Sequence, residues 1–122
     1  MIRFWLAVAG LGGAASVAAG ALAAHAGGDP KTAELLRTGA LYGMAHAVAL
    51  IAIVAFLQGR EPTPVAAAVA AWSFTVGIVL FSGSLFALAA GSARWVGMVT
   101  PFGGVALIVG WLALAALALH AR

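Results

Sequence analysis

"TGALYGMAHAVALIAIVAFLQG", residues 38–59, runs from Arg37 to Arg60 without a charged side chain. A helix over this stretch is about 33 Å long at 1.5 Å per residue, enough to cross the ~30 Å hydrocarbon layer of a bilayer. Three further uncharged stretches, 4–28, 62–93 and 95–121, meet the same length requirement. Of the 122 residues 65% are hydrophobic and 7% charged, with a mean hydropathy of +1.14. A soluble domain carries roughly a quarter charged residues, and a fold of this size in water could not hide so much apolar surface. The expected solvent is therefore lipid. The expected fold class is all-α and integral to the membrane, with four transmembrane helices in an antiparallel up-down bundle over a single domain, residues 1–122.

The breaks between stretches place the spans at about 4–24, 30–57, 64–90 and 101–120. "HAGGDP", 25–30, ends the first: Gly27 and Gly28 permit a turn, Asp29 is an N-cap and Pro30 suits the first helical position. No proline then intervenes before Leu57, so the second helix is expected to run 28 residues, about 42 Å, with its amphipathic start at the headgroups. Lys31, Glu34 and Arg37 stand at i,i+3 spacings suited to weak ion pairing. "QGREPTP", 58–64, is a polar loop in which Thr63 and Pro64 read as cap and first turn, and Thr100 with Pro101 repeats that pattern before the last span. Trp95 suits an interfacial depth. Arg3 and the following apolar run resemble a secretory signal, but Phe4–Ala24 is longer than the apolar core of one, so a retained first span is expected.

Small residues supply the packing faces. Gly12, Ser16 and Gly20 recur every fourth position, Gly39 and Gly43 form a GxxxG pair, and Gly83, Gly103 and Gly104 interrupt the last two spans. Such spacings let helix backbones approach closely in lipid, within the chain or between copies.

Charge excludes more than it suggests. The six Lys and Arg are scattered over helix ends with no basic run, so the pI of about 10.8 marks interfacial placement and no nucleic-acid partner is expected. Cysteine is absent, which removes thiolate chemistry and disulfides. The two sides of the bundle tie: Arg3, Arg60 and Arg122 against Lys31, Arg37 and Arg94, so positive-inside counting chooses no orientation. No Asp or Glu lies within a span, which speaks against a proton-coupled small exporter.

The polar residues inside the spans are the candidates for chemistry. Tyr42 and His46, four apart, share a helix face, His46 about two turns below an interface near Thr38 and Tyr42 one turn above His46. His46 reads either as a neutral histidine bonded to a neighbouring helix or, with His25, as a proton relay or ligand site. Two histidines fall short of the three protein ligands of a catalytic zinc, and haem would need facing imidazoles at matched depth, so neither metal nor cofactor is expected. His120 lies at the opposite interface. Ser82 and Ser84, in "FSGSLF" 81–86, can bond back to their own helix or line a pore. That segment resembles the lining of small fluoride channels, which form antiparallel dimers, yet the chain has no asparagine for such a pore.

Four motifs in order, "AHAGG" 24–28, "TGALYGMAHAVAL" 38–50, "GIVLFSGSLFAL" 77–88 and "TPFGGVALIVGW" 100–111, are similar to the YgdD/YwdK-type family of small bacterial inner-membrane proteins. The resemblance spans nearly the whole chain, departing at Phe86, where the family often has tyrosine, and at Phe102, where it often has an aliphatic residue. It implies four transmembrane helices in the bacterial plasma membrane and no known activity. Its motifs fall on His25, Tyr42, His46, Ser82, Gly83, Ser84, Thr100, Pro101, Gly103, Gly104 and Trp111. Since odd-numbered loops share a side, His25, Tyr42, His46, Ser82, Ser84, Thr100 and Trp111 are expected to converge near one membrane face as a polar network or ligand site.

No nucleophile–base pair, carboxylate dyad or three-ligand metal site is visible, so an enzyme is not expected. The expected role is a structural or accessory protein that packs against itself, as a homo-oligomer, or against a larger membrane complex within the lipid bilayer. The alternative is a small oligomeric channel or transporter with a polar site around His25, Tyr42, His46 and Ser84.

Overall fold

Asp29 starts its helix through its side chain: the carboxylate accepts from the backbone N–H of Lys31 and from the hydroxyl of Thr32, both at 3.1 Å, while Pro30 occupies the first turn. The computed structural model describes residues 1–25 and 29–120, so the turn residues Gly27 and Gly28, and Arg122, lie outside the described residues. Four helices result: α1 (Ile2–His25), α2 (Pro30–Leu57), α3 (Val65–Ala89) and α4 (Thr100–Ala118), the last preceded by a 3-10 turn over Arg94–Met98. All are apolar and long enough to span a membrane, and among the described residues there is no strand. Arg60 closes α2, donating from Nε to the Phe56 carbonyl at 2.8 Å with its guanidinium 4.2 Å from the Phe56 ring centroid.

Three local expectations are corrected. Pro64 is itself the cap residue of α3, and Thr63 makes no side-chain cap. Thr100 is the first residue of α4 and its hydroxyl bonds to Ser84 rather than capping the helix, because a neighbouring helix offers a buried partner there. No described hydrogen bond links Lys31, Glu34 and Arg37; at this exposed surface water competes for their charged groups.

The helices pack in chain order, α1 along α2, α2 against α3, and α3 along α4. The most apolar stretches of α2 and α3 are 44% buried, those of α1 and of the span containing α4 only 22%. The inner pair is therefore a spine, with one outer helix on each flank. Small residues let α1 close on this spine. Gly12 faces Ile78 and Ala47, Gly20 faces Ala40, and Ser16 and Ser82 converge on Gly43 from opposite sides, where a Cβ would collide with Ser16. Near the other end Trp5, buried in the core, stands edge-on to Trp72 at 5.8 Å and 78°. The Trp5 indole N–H is the one buried side-chain polar atom without a hydrogen-bond partner among the described residues.

Midway, α3 widens into a π-turn over Ile78–Ser82, where the N–H of Gly83 reaches back five residues to the Ile78 carbonyl. The backbone of Leu80 and Phe81 within this turn meets Gly103 of α4 directly. The inner face of α4 is accordingly Gly103, Leu107 and Gly110, with Gly110 against the Phe74 ring. Gly104 is different: a Cβ there would meet only the Phe81 ring, at 3.7 Å.

Two adjacent glycines should thus answer the same substitution oppositely. Gly103→Ala should lower stability by about 2 kcal/mol or more through overpacking against backbone. Gly104→Ala should be neutral or stabilising by up to ~1 kcal/mol, since it gains helix propensity without a clash. Thermal unfolding of both in one mild detergent checks this.

Candidate functional site

His46 lies 16 residues into α2, about 24 Å from the start of that helix. It is 5% exposed and sits among Phe74, Trp111 and Tyr42, with ring centroids 5.4, 5.7 and 6.2 Å away. The indole Nε1 of Trp111 donates to His46 Nε2 at 2.9 Å, and His46 Nδ1 lies 2.6 Å from the Tyr42 carbonyl. These two contacts define the tautomer. An indole N–H can only donate, so Nε2 must present its lone pair; the ring proton is then on Nδ1 and is donated to the carbonyl. His46 is thus a neutral imidazole with both nitrogens engaged. A metal or a haem iron would have to displace one of these partners.

Trp111 lies 11 residues into α4, about 16 Å along a helix of about 28 Å, so the Trp111–His46 bond sits near the middle of the span. An unpaired donor there would lose a hydrogen bond with no water to replace it. Two further ties join helices. Ser82 donates to the Gly39 carbonyl at 2.7 Å, linking α3 to α2, and Ser84 shares a hydrogen bond with Thr100 while also reaching the Phe81 carbonyl, linking α3 to α4. With Trp111–His46 joining α4 to α2, three polar ties triangulate α2, α3 and α4. Ser16 and Thr75, also buried, bond back to Gly12 and Ala71 of their own helices at 2.7 and 2.8 Å.

The structure divides the residues that the sequence grouped together. His46 and Trp111 meet near the middle of their spans. Ser82, Ser84 and Thr100 belong to separate ties closer to one end. His25 ends α1 and is exposed, beside the start of α2 and far along the axis from His46, so no His25–His46 relay forms. Tyr42 contributes its backbone carbonyl and its ring, 4.9 Å from Phe81, while its side chain is 43% exposed. His120 is exposed and its Nδ1 lies 3.2 Å from the Ala116 carbonyl of its own helix. Phe74, fully buried between His46 and Trp111, went unmarked in the sequence because nothing in a run of apolar residues singles it out. Gly110 did carry a signal: it repeats Gly103 seven residues on, the spacing of a packed helix face.

The site opens sideways. Tyr42, His46, Phe81, Pro101, Gly104 and Trp111 border a groove of about 480 Å³ between α2 and α4. Beyond Trp111 a second hollow of about 240 Å³ continues between the same helices, lined by Ala49, Ile53, Phe56 and Leu114. Trp111 therefore bridges an otherwise open cleft.

The family described as "Protein of unknown function (DUF423)" matches residues 19–104. The UPF0382 membrane protein YwdK of Bacillus subtilis is 40% identical over 100 residues, 80% of each chain. A UPF0382 membrane protein of Haemophilus influenzae is 36% identical over 114 residues, 91% of this chain and 90% of its own. The UPF0382 inner membrane protein YgdD of Escherichia coli is 34% identical over 118 residues, 89% and 84% respectively. No solved structure matches.

Removing either partner of the central tie should destabilise the bundle. Trp111→Phe should cost about 0.5–1.5 kcal/mol, and His46→Leu as much or more, because it strands the indole N–H. The double variant should cost less than the sum of the two. Tyr42→Phe, which keeps the carbonyl and the ring, should leave stability within about 0.5 kcal/mol. Equilibrium unfolding in detergent reads all four.

Proposed function

Because the chain belongs to the UPF0382 (DUF423) family of multi-pass membrane proteins, for which no activity is assigned, we propose its function from the bundle itself: a non-enzymatic packing unit that associates within the membrane. The observation that carries this reading is the outward face of α1. Beyond their own stretch of α1, Gly10 and Gly13 have no heavy atom of the described residues within 4 Å of where a Cβ would stand. Their smallness, which costs helix propensity, serves no contact inside the protomer. Close approach of another helix gives it a use. Leu6 and Val17, exposed one turn beyond on either side, frame that face. The polar inventory supports the same reading, since Ser82, Ser84 and His46 are engaged in ties between helices of this chain and Ser16 and Thr75 bond back to their own helices.

A channel or transporter around Tyr42, His46 and Ser84 finds less support. These groups belong to discrete ties at different depths, whereas conduction calls for a continuous polar lining.

Cysteine substitution tests the reading, the chain having none of its own. Gly10→Cys and Gly13→Cys should cross-link under mild oxidation in native membranes, to a second copy or to another polypeptide. A cysteine at Leu112, on the outer helix of the other flank, should do so far less. Gly10→Leu should abolish co-purification of the associated chain with little change in the protomer's own melting. Absence of any cross-link at α1 in the native membrane, with only monomer recovered, would sink the proposal.

A further inference from the structure

Tyr42 exposes its side chain into the groove between α2 and α4, and none of the described hydrogen bonds involves its hydroxyl. A phenol at hydrocarbon depth without a partner loses a hydrogen bond, so an acceptor from outside the chain is the simplest completion of the site. What that acceptor is attached to follows from the groove. Its α4 wall runs from Pro101 to Trp111 through Gly104, Val105 and Ile108, about 15 Å along the axis. That is half the ~30 Å hydrocarbon thickness, the depth of one leaflet. The His46–Trp111 tie floors it near mid-membrane. Both floor groups are engaged with each other, which leaves the Tyr42 hydroxyl as the uncommitted side-chain group in an otherwise apolar trough. On a helix the tyrosine side chain leans toward the N-terminus, here toward the interface that loop one and loop three share.

Cations outnumber acidic residues at this end of the bundle. Lys31 is exposed on the first turn of α2, eleven residues before Tyr42 and so on the same face of that helix; exposed Arg37 stands about 140° around the helix from Tyr42, and exposed Arg94 opens the 3-10 turn that leads into α4. The acidic residues at this end are Asp29, whose carboxylate also caps its own helix, and Glu34, against the three cations Lys31, Arg37 and Arg94. We propose that the α2–α4 groove is a site for one anionic glycerophospholipid: one acyl chain fills the trough down to Trp111, an ester carbonyl accepts from the Tyr42 hydroxyl, and the phosphate faces the cationic end of the bundle that carries Lys31 and Arg94. Gly104 keeps the trough open. A larger side chain there has room, because its Cβ would meet only the Phe81 ring at 3.7 Å, so the groove can be filled without disturbing the helix contact at Gly103.

The test is native mass spectrometry of the full chain in a mild detergent, titrated with dioleoyl phosphatidylglycerol and separately with dioleoyl phosphatidylcholine. One phosphatidylglycerol should bind per chain ahead of any further lipid. Tyr42→Phe should weaken that first event about three- to tenfold, the worth of one neutral hydrogen bond. Gly104→Leu should abolish it, and Arg94→Gln should weaken phosphatidylglycerol but not phosphatidylcholine. Ala66→Leu, in a separate hollow between α3 and α4 near His120, should change nothing. Each variant is first shown to melt like the parent chain. First-site binding that survives Gly104→Leu and Tyr42→Phe would overturn the site, and lipids adding without a favoured first event would reduce it to ordinary annular contact. Displacement of the phospholipid by an isoprenoid quinone, with the same variant sensitivities, would overturn the occupant.

Discussion

The hydrogen bond from Trp111 to His46 joins two helices that otherwise pack chiefly against α3 and α1 rather than against each other. α2 and α4 lie on either side of α3, and the cleft between them is open above and below the indole. In water such a bond would add little, because both groups would find solvent partners when it opened. In hydrocarbon the open state has no replacement partner, so the geometry is held by the absence of an alternative rather than by unusual strength. The imidazole suits this because it can accept at one nitrogen and donate at the other, passing the constraint to the Tyr42 carbonyl of its own helix.

Around that bond the rest of the bundle reads as a set of close approaches. Gly103 admits the backbone of the α3 π-turn, Gly110 admits the Phe74 ring that packs on both His46 and Trp111, and Gly43 admits Ser16 and Ser82 from two sides. Each approach brings a polar group within reach of a carbonyl or hydroxyl on another helix, or positions the aromatic wall behind one. The association of α1 with the spine differs in kind. No described side-chain hydrogen bond ties α1 to another helix; small-residue packing and the Trp5–Trp72 edge contact hold it. Its outward glycines leave it able to pack on a second partner as well.

Much of this architecture was legible from residues alone. Nine charges clustered at the ends of four long apolar stretches leave a chain in lipid few options, since every backbone amide must be satisfied within its own helix. Asp29 and Pro30 marked a helix start through their own side-chain chemistry, and that start stands in the structure where the sequence puts it. Thr63 and Thr100 carried the same local signal and do not cap. For Thr100, a buried serine on the adjacent helix competes for its hydroxyl, which no local pattern can reveal.

The sequence by itself determined the solvent, the number of spans, the helical class and the small-residue positions where backbones can meet, because these follow from hydropathy, length and side-chain volume along one dimension. Only the tertiary structure decided which polar group answers which. His25 and His46, alike on paper, end far apart along the axis, and Tyr42 serves His46 through its carbonyl while its hydroxyl enters none of the described hydrogen bonds. Trp111, 65 residues from His46 in the chain, becomes its partner. The physical reason is that a hydrogen bond in hydrocarbon depends on rotation and depth of both helices together, and those are set by how glycine faces and aromatic rings interlock across helices, a property no single segment carries.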